Sequence, residues 1–572
     1  MIGRRRARLA TAVLAVTLGL AGADAAGASI GFERTWGKDV IAGGPTAFEI
    51  CASAGSCKTG VGGPLAGELN QPTGIAVGPG NVIYVADRVN ARILKYDRTG
   101  TFLRAWGRDV VAGNAETGYE ICVRTGCKGG EVGQQGGEFD DVTDLAADAN
   151  GDVYVVDKQN HRIQKFDANG GFDRAWGRDV VAGNAEPGFE ICTSAPSCKS
   201  GVQSALGGDM YWPEGIATAG PSVFVADTGN QRIQRFSLDG GFARAWGKDV
   251  VAANAETGSE VCTVAASCKA GASGDLGGEL FFPRDVAASI TDISRVYVSG
   301  DDRRVQSFNS NGGFLAAWGK DVVAGNPETG YEICAIAASC QQAAPGELGG
   351  EFLAPRGMDT DASGNVYVAD EGDRIQEFDA GGEFTRAWGE DVVAGNAGAG
   401  FEVCTVAASC RWGTEAGPAR GGFMDLPQAV AVTGSAAAIF VADTYNHRVQ
   451  RFGETVATAA KCKGKAATHV GTTGKDVIVG TPGADVIVAK AGNDVIRAKG
   501  GNDLVCAGGG RDKVVGGGGD DRLHGQAGAD KLKGGAGKDL VQGQGGKPDR
   551  CNGGPGEDKK NAKGCERLKK IP

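Results

Sequence analysis

At 572 residues the chain exceeds one ordinary domain, and 97 glycines beside only 9 tyrosines argue against a helical bundle and for all-β repeats. A formal net charge of −10 argues against a nucleic-acid-binding surface, which is ordinarily basic. Sixteen cysteines are many for a cytosolic chain and natural for an exported one.

The first stretch, 1–28, reads as a secretory leader. "MIGRRRARLA" supplies a basic segment, "LATAVLAVTLGLAGA" an apolar one, and "ADAAGAS" small residues for cleavage near Ala25 to Ala28. The apolar run is too short and too unflanked for a membrane span. The expectation is a secreted, monomeric protein without stable membrane insertion.

Tryptophans then recur at Trp36, Trp106, Trp176, Trp246, Trp318 and Trp388, in steps of 70, 70, 70, 72 and 70 residues. Each unit holds four β-like runs. The first copy reads "TGIAV" (73–77), "VIYVAD" (82–87), "RILKYD" (92–97) and "TFLRAWG" (101–107). The runs are β-branched and aromatic, alternate in polarity, and break at Gly, Asn and Asp. Four short strands per repeat are the signature of a β-propeller. Five complete units lie between Thr73 and Gly389. A sixth runs through "PQAVAV" (427–432), "AIFVAD" (438–443) and "RVQRF" (448–452) and lacks its last strand, which stands at the other end as "GFERTWG" (31–37). The pattern predicts a six-bladed ring closed by an N-terminal strand, which satisfies an otherwise open edge.

These units resemble NHL repeats. The marker is "VADRVNARILKYD" (85–97), then "VVDKQNHRIQKFD", "VADTGNQRIQRFS" and "VADTYNHRVQRF". The resemblance spans roughly 31–452. Blade four departs, with Ser299 and Asp302 in the Asp and Asn places, and blade five is one residue shorter. The resemblance implies a propeller that binds a protein or RNA, or in a few relatives a lyase. Within the motif, Asp and Asn suit a turn between the second and third strands, and the Arg can pair with the Asp.

Between blades lie inserts of about 35 residues, well above the ordinary loop length of ~12–15. "WGRDVVAGNAETGYEIC" (106–122) recurs in variants, and each insert carries two close cysteines: Cys51/Cys57, Cys122/Cys127, Cys192/Cys198, Cys262/Cys268, Cys334/Cys340 and Cys404/Cys410. Pairing within each insert is the simplest connectivity in an exported chain. Zinc is disfavoured, because it wants four donors, often at two-residue spacing, and no histidine lies near. The inserts are expected to crown one face, carrying Asp109, Glu116, Glu120 and Tyr119. That crown reads either as a binding surface or as a packed collar.

Only four histidines exist: His161, His447, His469 and His524. The histidine-rich metal centre of NHL-like lyases is therefore absent, and no Ser–His–Asp order or P-loop stands out. The expectation is a non-enzyme. The alternative, a lyase or hydrolase in the propeller channel, predicts inward carboxylates clustered near the axis.

From Gly471 the chain reads in nonamers, beginning "GTTGKDVIV", "GTPGADVIV", "AKAGNDVIR" and "AKGGNDLVC". In eight copies the fourth place is Gly, the eighth is aliphatic, and the sixth is Asp: Asp476, Asp485, Asp494, Asp503, Asp512, Asp521, Asp530 and Asp539. This resembles the hemolysin-type (RTX) calcium-binding repeat. Two nonamers make one coil of a parallel β-roll, so aspartates eighteen apart stack on one edge. Stacked carboxylates repel without a cation, and Ca²⁺, a hard cation seeking six to eight oxygens, joins carboxylates to turn carbonyls. About six sites fit, with extracellular-type affinities of ~0.1–1 mM. Ala489, Ala498 and Ala507 replace the first Gly, which weakens some sites, and Pro548 stands where a ninth Asp belongs and ends the roll. Of the last four cysteines, which allow three pairings, Cys462–Cys506 and Cys551–Cys565 are preferred as end caps.

The chain thus reads as all-β: leader 1–28, propeller 31–452, linker 453–470, roll 471–550 and a cysteine-capped basic tail 551–572. The functional expectation is a secreted, calcium-binding, adhesin-like scaffold whose propeller face takes a protein or glycan, with no nucleic acid. An extracellular sensor module is a further alternative.

Overall fold

The computed structural model describes residues 29–568 except 115–117, 124, 185–187, 253, 255–257, 289–293, 327–329, 396–400, 414–419, 435–437, 456–460, 468, 471–476, 482, 546–547 and 556–564. The leader reading and Asp476 fall outside the described residues. The chain divides into two compact units, one of Ile30–Glu454 and one continuing from Thr455. Among the described residues, no helix is long and apolar enough to cross a membrane.

The first unit is a six-bladed propeller. Blade one is an antiparallel sheet of Pro72–Gly78, Val82–Asp87, Arg92–Tyr96, Phe102–Arg108 and Tyr119–Val123. Four strands per blade were expected, and each blade has five. The fifth comes from the start of the insert, where "YEIC" pairs with the tryptophan strand in the register Trp106↔Ile121 and Ala105↔Cys122. Alternation of aromatic, Glu, aliphatic and Cys gives this segment a strand's period of two. It therefore widens the blade outward instead of lying on a face.

The sixth blade combines Pro427–Val432, Ile439–Asp443 and Arg448–Thr455 with Ser29–Lys38 and Phe48–Cys51. The Thr35 hydroxyl donates to the Val449 carbonyl at 2.8 Å across 414 residues of sequence. Between blades, the six tryptophans are fully buried. Trp36 packs on Gly100 of the next blade, whose φ is +87° and where a Cβ would stand 2.7 Å from the indole. Only glycine permits both the backbone angle and that approach.

The Asp-x-x-Asn-x-Arg turns hold the inserts. Arg92 is completely buried. Its Nε donates to Asp87 Oδ2 at 2.8 Å, and its terminal nitrogens donate to the carbonyls of Pro64, Leu65, Glu68 and Lys128. Those carbonyls belong to two successive inserts. Arg162 repeats the set with Asp157 and the carbonyls of Gln134, Gln135, Glu138 and Lys199. Blade four, with Ser299 in the Asp place, pairs Arg304 with Asp302 at 2.6 Å instead. In shortened blade five, Arg374 still reaches Asp370 at 3.1 Å. The inserts also touch in sequence: Gly136, Gly207, Gly277 and Gly349 donate to Ala195, Ala265, Ala337 and Ala407 of the following insert, and Gly421 returns to Ala54. Disulfides join Cys51–Cys57, Cys122–Cys127, Cys192–Cys198, Cys262–Cys268, Cys334–Cys340 and Cys404–Cys410. Each closes a very short loop, so its entropic gain is modest, about 2–3 kcal/mol at most.

The second unit is a parallel β-roll. One sheet orders His469–Val470, Val486–Val488, Leu504–Gly509, Arg522–Ala527 and Leu540–Gly545. The other orders Val477–Val479, Val495–Gly500, Lys513–Gly518, Lys531–Ala536, Asp549–Asn552 and Cys565–Leu568. Strand partners lie eighteen residues apart, as in Val495↔Lys513. The eighth-place aliphatics Ile487, Ile496, Val505, Val514, Leu523, Leu532 and Val541 form its core. Disulfides join Cys462–Cys506 and Cys551–Cys565.

Replacing Arg162 by Ala leaves the fully buried Asp157 carboxylate without its cation and four carbonyls without a donor. The expected cost is about 3–5 kcal/mol, read as a shift in the urea midpoint of the propeller transition. A change under about 0.5 kcal/mol would show that the turn does not hold the inserts.

Candidate metal centre

The roll places its aspartates by strand register. Each stands at the end of a six-residue turn, just before a short strand, so coils that pair at eighteen residues superpose their carboxylates. The backbone N–H of Asp485 donates to Asp503 Oδ1 at 2.8 Å. The same bond, at 2.9 Å, links Asp494 to Asp512, Asp503 to Asp521, Asp512 to Asp530 and Asp521 to Asp539. Seven of the eight predicted aspartates thus lie on two ladders: Asp485, Asp503, Asp521 and Asp539 on one edge, Asp494, Asp512 and Asp530 on the other.

The second edge continues one step further than expected. The N–H of Asp530 donates to Asp549 Oδ1 at 2.9 Å across nineteen residues. Pro548 does not end the roll. One extra residue shifts the phase, and Asp549 takes the ladder place while Cys551 joins the core. A strict nine-residue count misses this residue, although its aspartate stands one place late in the sequence.

The accepting oxygen on these ladders is Oδ1 of Asp503, Asp512, Asp521, Asp530, Asp539 and Asp549. Oδ2 of Asp503, Asp512, Asp521, Asp530 and Asp549 is buried and accepts no hydrogen bond. A buried carboxylate oxygen without a donor is costly unless a cation is its intended partner. The first-place glycines leave the required space. A Cβ on Gly525 would meet Asp530 Oδ2 at 2.5 Å and the Gly543 carbonyl at 3.0 Å, and one on Gly516 or Gly534 would meet the equivalent pair around Asp521 or Asp539. A carboxylate oxygen and a carbonyl oxygen of the following coil therefore face one another across a gap. Burial pushes Asp521 up to about 7 and Asp530 up to about 6, with neighbouring ladder carboxylates adding to the rise. Burial likewise raises Asp503 and Asp512.

The donor set fits a hard cation. Among the described residues, no three His, Cys, Asp or Glu side chains converge as a metal-binding group. Backbone carbonyls must complete a coordination shell built on these aspartates, and an all-oxygen donor set suits Ca²⁺. Ala489, Ala498 and Ala507 occupy the cradle position of Gly516, Gly525 and Gly534, and all three are fully buried. A further polar ladder was not anticipated: Arg511, Asp520 and Lys538 donate their N–H groups to the side chains of Asn493, Asn502 and Asp520, each eighteen residues earlier.

In the propeller, the residues expected to crown a face turn out to fasten it. Asp109 pairs with Lys128 at 2.7 Å. Glu120 Oε2 accepts the Val111 N–H at 2.8 Å, and Tyr119 packs on Phe166. Glu116 lies outside the described residues. His161 and His447 accept the N–H groups of Trp212 and Gln71 through Nδ1, and His469 lies 3.5 Å from Asp485. His524 is buried in the roll. The propeller axis holds two cavities, of about 210 and 520 Å³, each lined by all six blades, and the residues lining them include no histidine. Asp144, Asp285 and Asp359 point into them from the first strands of blades two, four and five.

Comparison with known proteins agrees with this architecture. The model of the RTX calcium-binding nonapeptide repeat matches residues 470–505 and 507–541, and that of the NHL repeat matches 69–96, 139–166 and 424–452. No curated protein matches the chain significantly. Similar solved structures include a gluconolactonase from Xanthomonas campestris (11% identity, TM-score 0.33, covering 68% of this chain and 88% of that one). Another is the virginiamycin B lyase of Staphylococcus aureus (10% identity, TM-score 0.32, covering 68% and 97%). The chain carries NHL repeats in its propeller and RTX calcium-binding nonapeptide repeats in its roll.

Proposed function

We propose that the protein is a secreted scaffold of adhesin-like character, in which calcium completes the roll and the propeller presents a binding face for a protein or glycan. The observation that carries the calcium half is the row of buried Oδ2 atoms facing carbonyls of the next coil. Calcium at tenfold over its dissociation constant adds about 1.4 kcal/mol per site to the folded roll. Eight disulfides and the leader-like start support an oxidising, extracellular setting.

The binding half is supported by a stiff ring of inserts that shows apolar groups to solvent. Leu65, Leu206, Leu276 and Leu348 recur at one place in the inserts and are 37–55% exposed, with Trp212 and Phe282 near them in sequence at 43% and 39%. Recurring exposed leucines and aromatics are the residue types that anchor partners. A second reading, turnover in the channel, is favoured by the inward Asp144, Asp285 and Asp359.

EDTA is expected to lower the strand signal and melting temperature of the roll in circular dichroism, with recovery on adding calcium. Asp521→Asn and Asp549→Ala should each raise the calcium midpoint severalfold. Unchanged spectra and melting in EDTA would sink the calcium reading. For the face, a pull-down with the intact protein should recover a partner that is lost on exchanging Leu206 and Leu276 for Lys. Equal recovery would remove these inserts from the binding account. For the channel, wild type and Asp144→Asn should hydrolyse a panel of lactones, esters and glycosides at the same background rate. A drop confined to the variant would favour turnover instead.

A further inference from the structure

The axial mouth holds two carboxyls, Asp144 and Asp285, beside a belt of ion pairs. Its cations are all engaged. Arg88 pairs with Asp141 at 2.5 Å and Lys158 with Glu214 at 2.6 Å. Arg284 bridges Glu214 and Asp301 at 2.7 and 2.6 Å, and Arg356 bridges Asp301 and Glu371 at 3.4 and 2.7 Å. This belt is balanced, four cations against four carboxylates. Asp144 and Asp285 line both axial cavities, and among the described residues neither has a basic side chain paired with it.

Their geometry is set by the strands. Asp144 Oδ2 accepts the Ile216 N–H of the next blade at 2.9 Å, and Asp285 Oδ2 accepts the Met358 N–H at 2.6 Å. Gly74 and Gly215 lie opposite them, where any Cβ would run into Asp144 and Asp285. Asp285 is 7% exposed and its Oδ1 receives no hydrogen bond from a donor. The polar group within its reach is the Asp144 carboxyl, which is itself an acceptor once ionised. Two ionised carboxylates cannot remain in contact in a buried site, so something positive must lie between them. At acid pH that is a shared proton.

We propose that the axial mouth is a binding site for an organic cation, a primary ammonium or guanidinium group seated between Asp144 and Asp285. Such a group offers several donors, enough for the Oδ1 atom left open on Asp285 and for Asp144. The mouth cavity of about 210 Å³ has room for an alkylammonium end. The belt of Arg88, Lys158, Arg284 and Arg356 with Asp141, Glu214, Asp301 and Glu371 is neutral as a whole, so it neither repels nor replaces the ligand. The inference stands apart from the calcium reading and from the exposed face of the inserts.

The cation competes with the shared proton. Burial, and for Asp285 the adjacent Asp144 carboxylate, lifts both groups, Asp144 up to about 7 and Asp285 well above the carboxylate range. Burial also lifts Asp359, the next carboxyl along the channel, to about 7. Below that range the proton occupies the pair, and as pH rises the cation takes its place. Affinity therefore rises with pH, by up to about tenfold per unit for each proton displaced.

The test is calorimetric titration of the calcium-loaded full chain with cadaverine, agmatine and an Nα-acetyl-lysine methylamide, with 1-pentanol and glutarate as controls. Saturable binding of the amines is expected, tighter at pH 8 than at pH 7, with proton release seen by comparing buffers. Asp144→Asn and Asp285→Asn keep the backbone acceptors and should lose the binding. Preference for the free diamine assigns a polyamine, and preference for the lysine derivative assigns a side chain presented by a protein. Binding that survives Asp285→Asn, binding of the controls alone, or no amine binding at millimolar concentration would overturn the proposal. Should Asp285→Asn misfold, the wild-type proton release decides, and its absence overturns the proposal equally.

Discussion

A guanidinium removed from water must find an acceptor for each of its five N–H bonds, and in this propeller it finds them in the loops. Arg92, Arg162, Arg232, Arg304, Arg374 and Arg448 are all fully buried. Each pairs with an aspartate of its own turn, and its remaining donors go to carbonyls of flanking inserts. A loop of some 35 residues has too little apolar surface to order itself. Here its backbone carbonyls take the donors of a buried guanidinium that the turn aspartate leaves over. The five-stranded blades, the insert-to-insert contacts and the cavities at the axis all sit on that arrangement.

The two units treat buried charge in opposite ways. The propeller closes its aspartates with arginine, which makes the fold self-sufficient. The roll buries a comparable row of aspartates, and at Asp503, Asp512, Asp521, Asp530 and Asp549 its backbone N–H groups reach Oδ1 and leave Oδ2 without a donor. Under the calcium reading proposed above, what it lacks comes from solution, and its stability follows the ionic composition. The axial pair Asp144 and Asp285 follows the roll's logic inside the propeller's frame.

Much of this was legible in the sequence because repetition exposes it. The tryptophan step and the nonapeptide step gave blade number, ring closure and the register of the aspartates, since a repeated backbone can only superpose equivalent residues. Three things were not legible. The fifth strand hides in a segment of four residues, too short for a period to show. Asp549 escapes a fixed count because a single inserted residue changes the phase of the coil without breaking it. The inward carboxyls occupy places that other blades fill with Gly or Ala, as Gly74, Gly215, Gly357 and Ala429 show, and repeat averaging discards such exceptions. For the insert residues, read in sequence either as a binding crown or as a packed collar, the contact of Glu120 with a backbone N–H nine residues away fits the collar.

The closing strand has a consequence for how the molecule comes to be. Ser29–Lys38 pairs with the nearby Phe48–Cys51 on one edge, but its other neighbour is Arg448–Thr455, so this strand joins its blade only when the far end of the propeller has been made. Each inner blade can form from contiguous chain, whereas the sixth depends on a contact across more than four hundred residues. The ring is closed only once Ser29–Lys38 and Arg448–Thr455 have met.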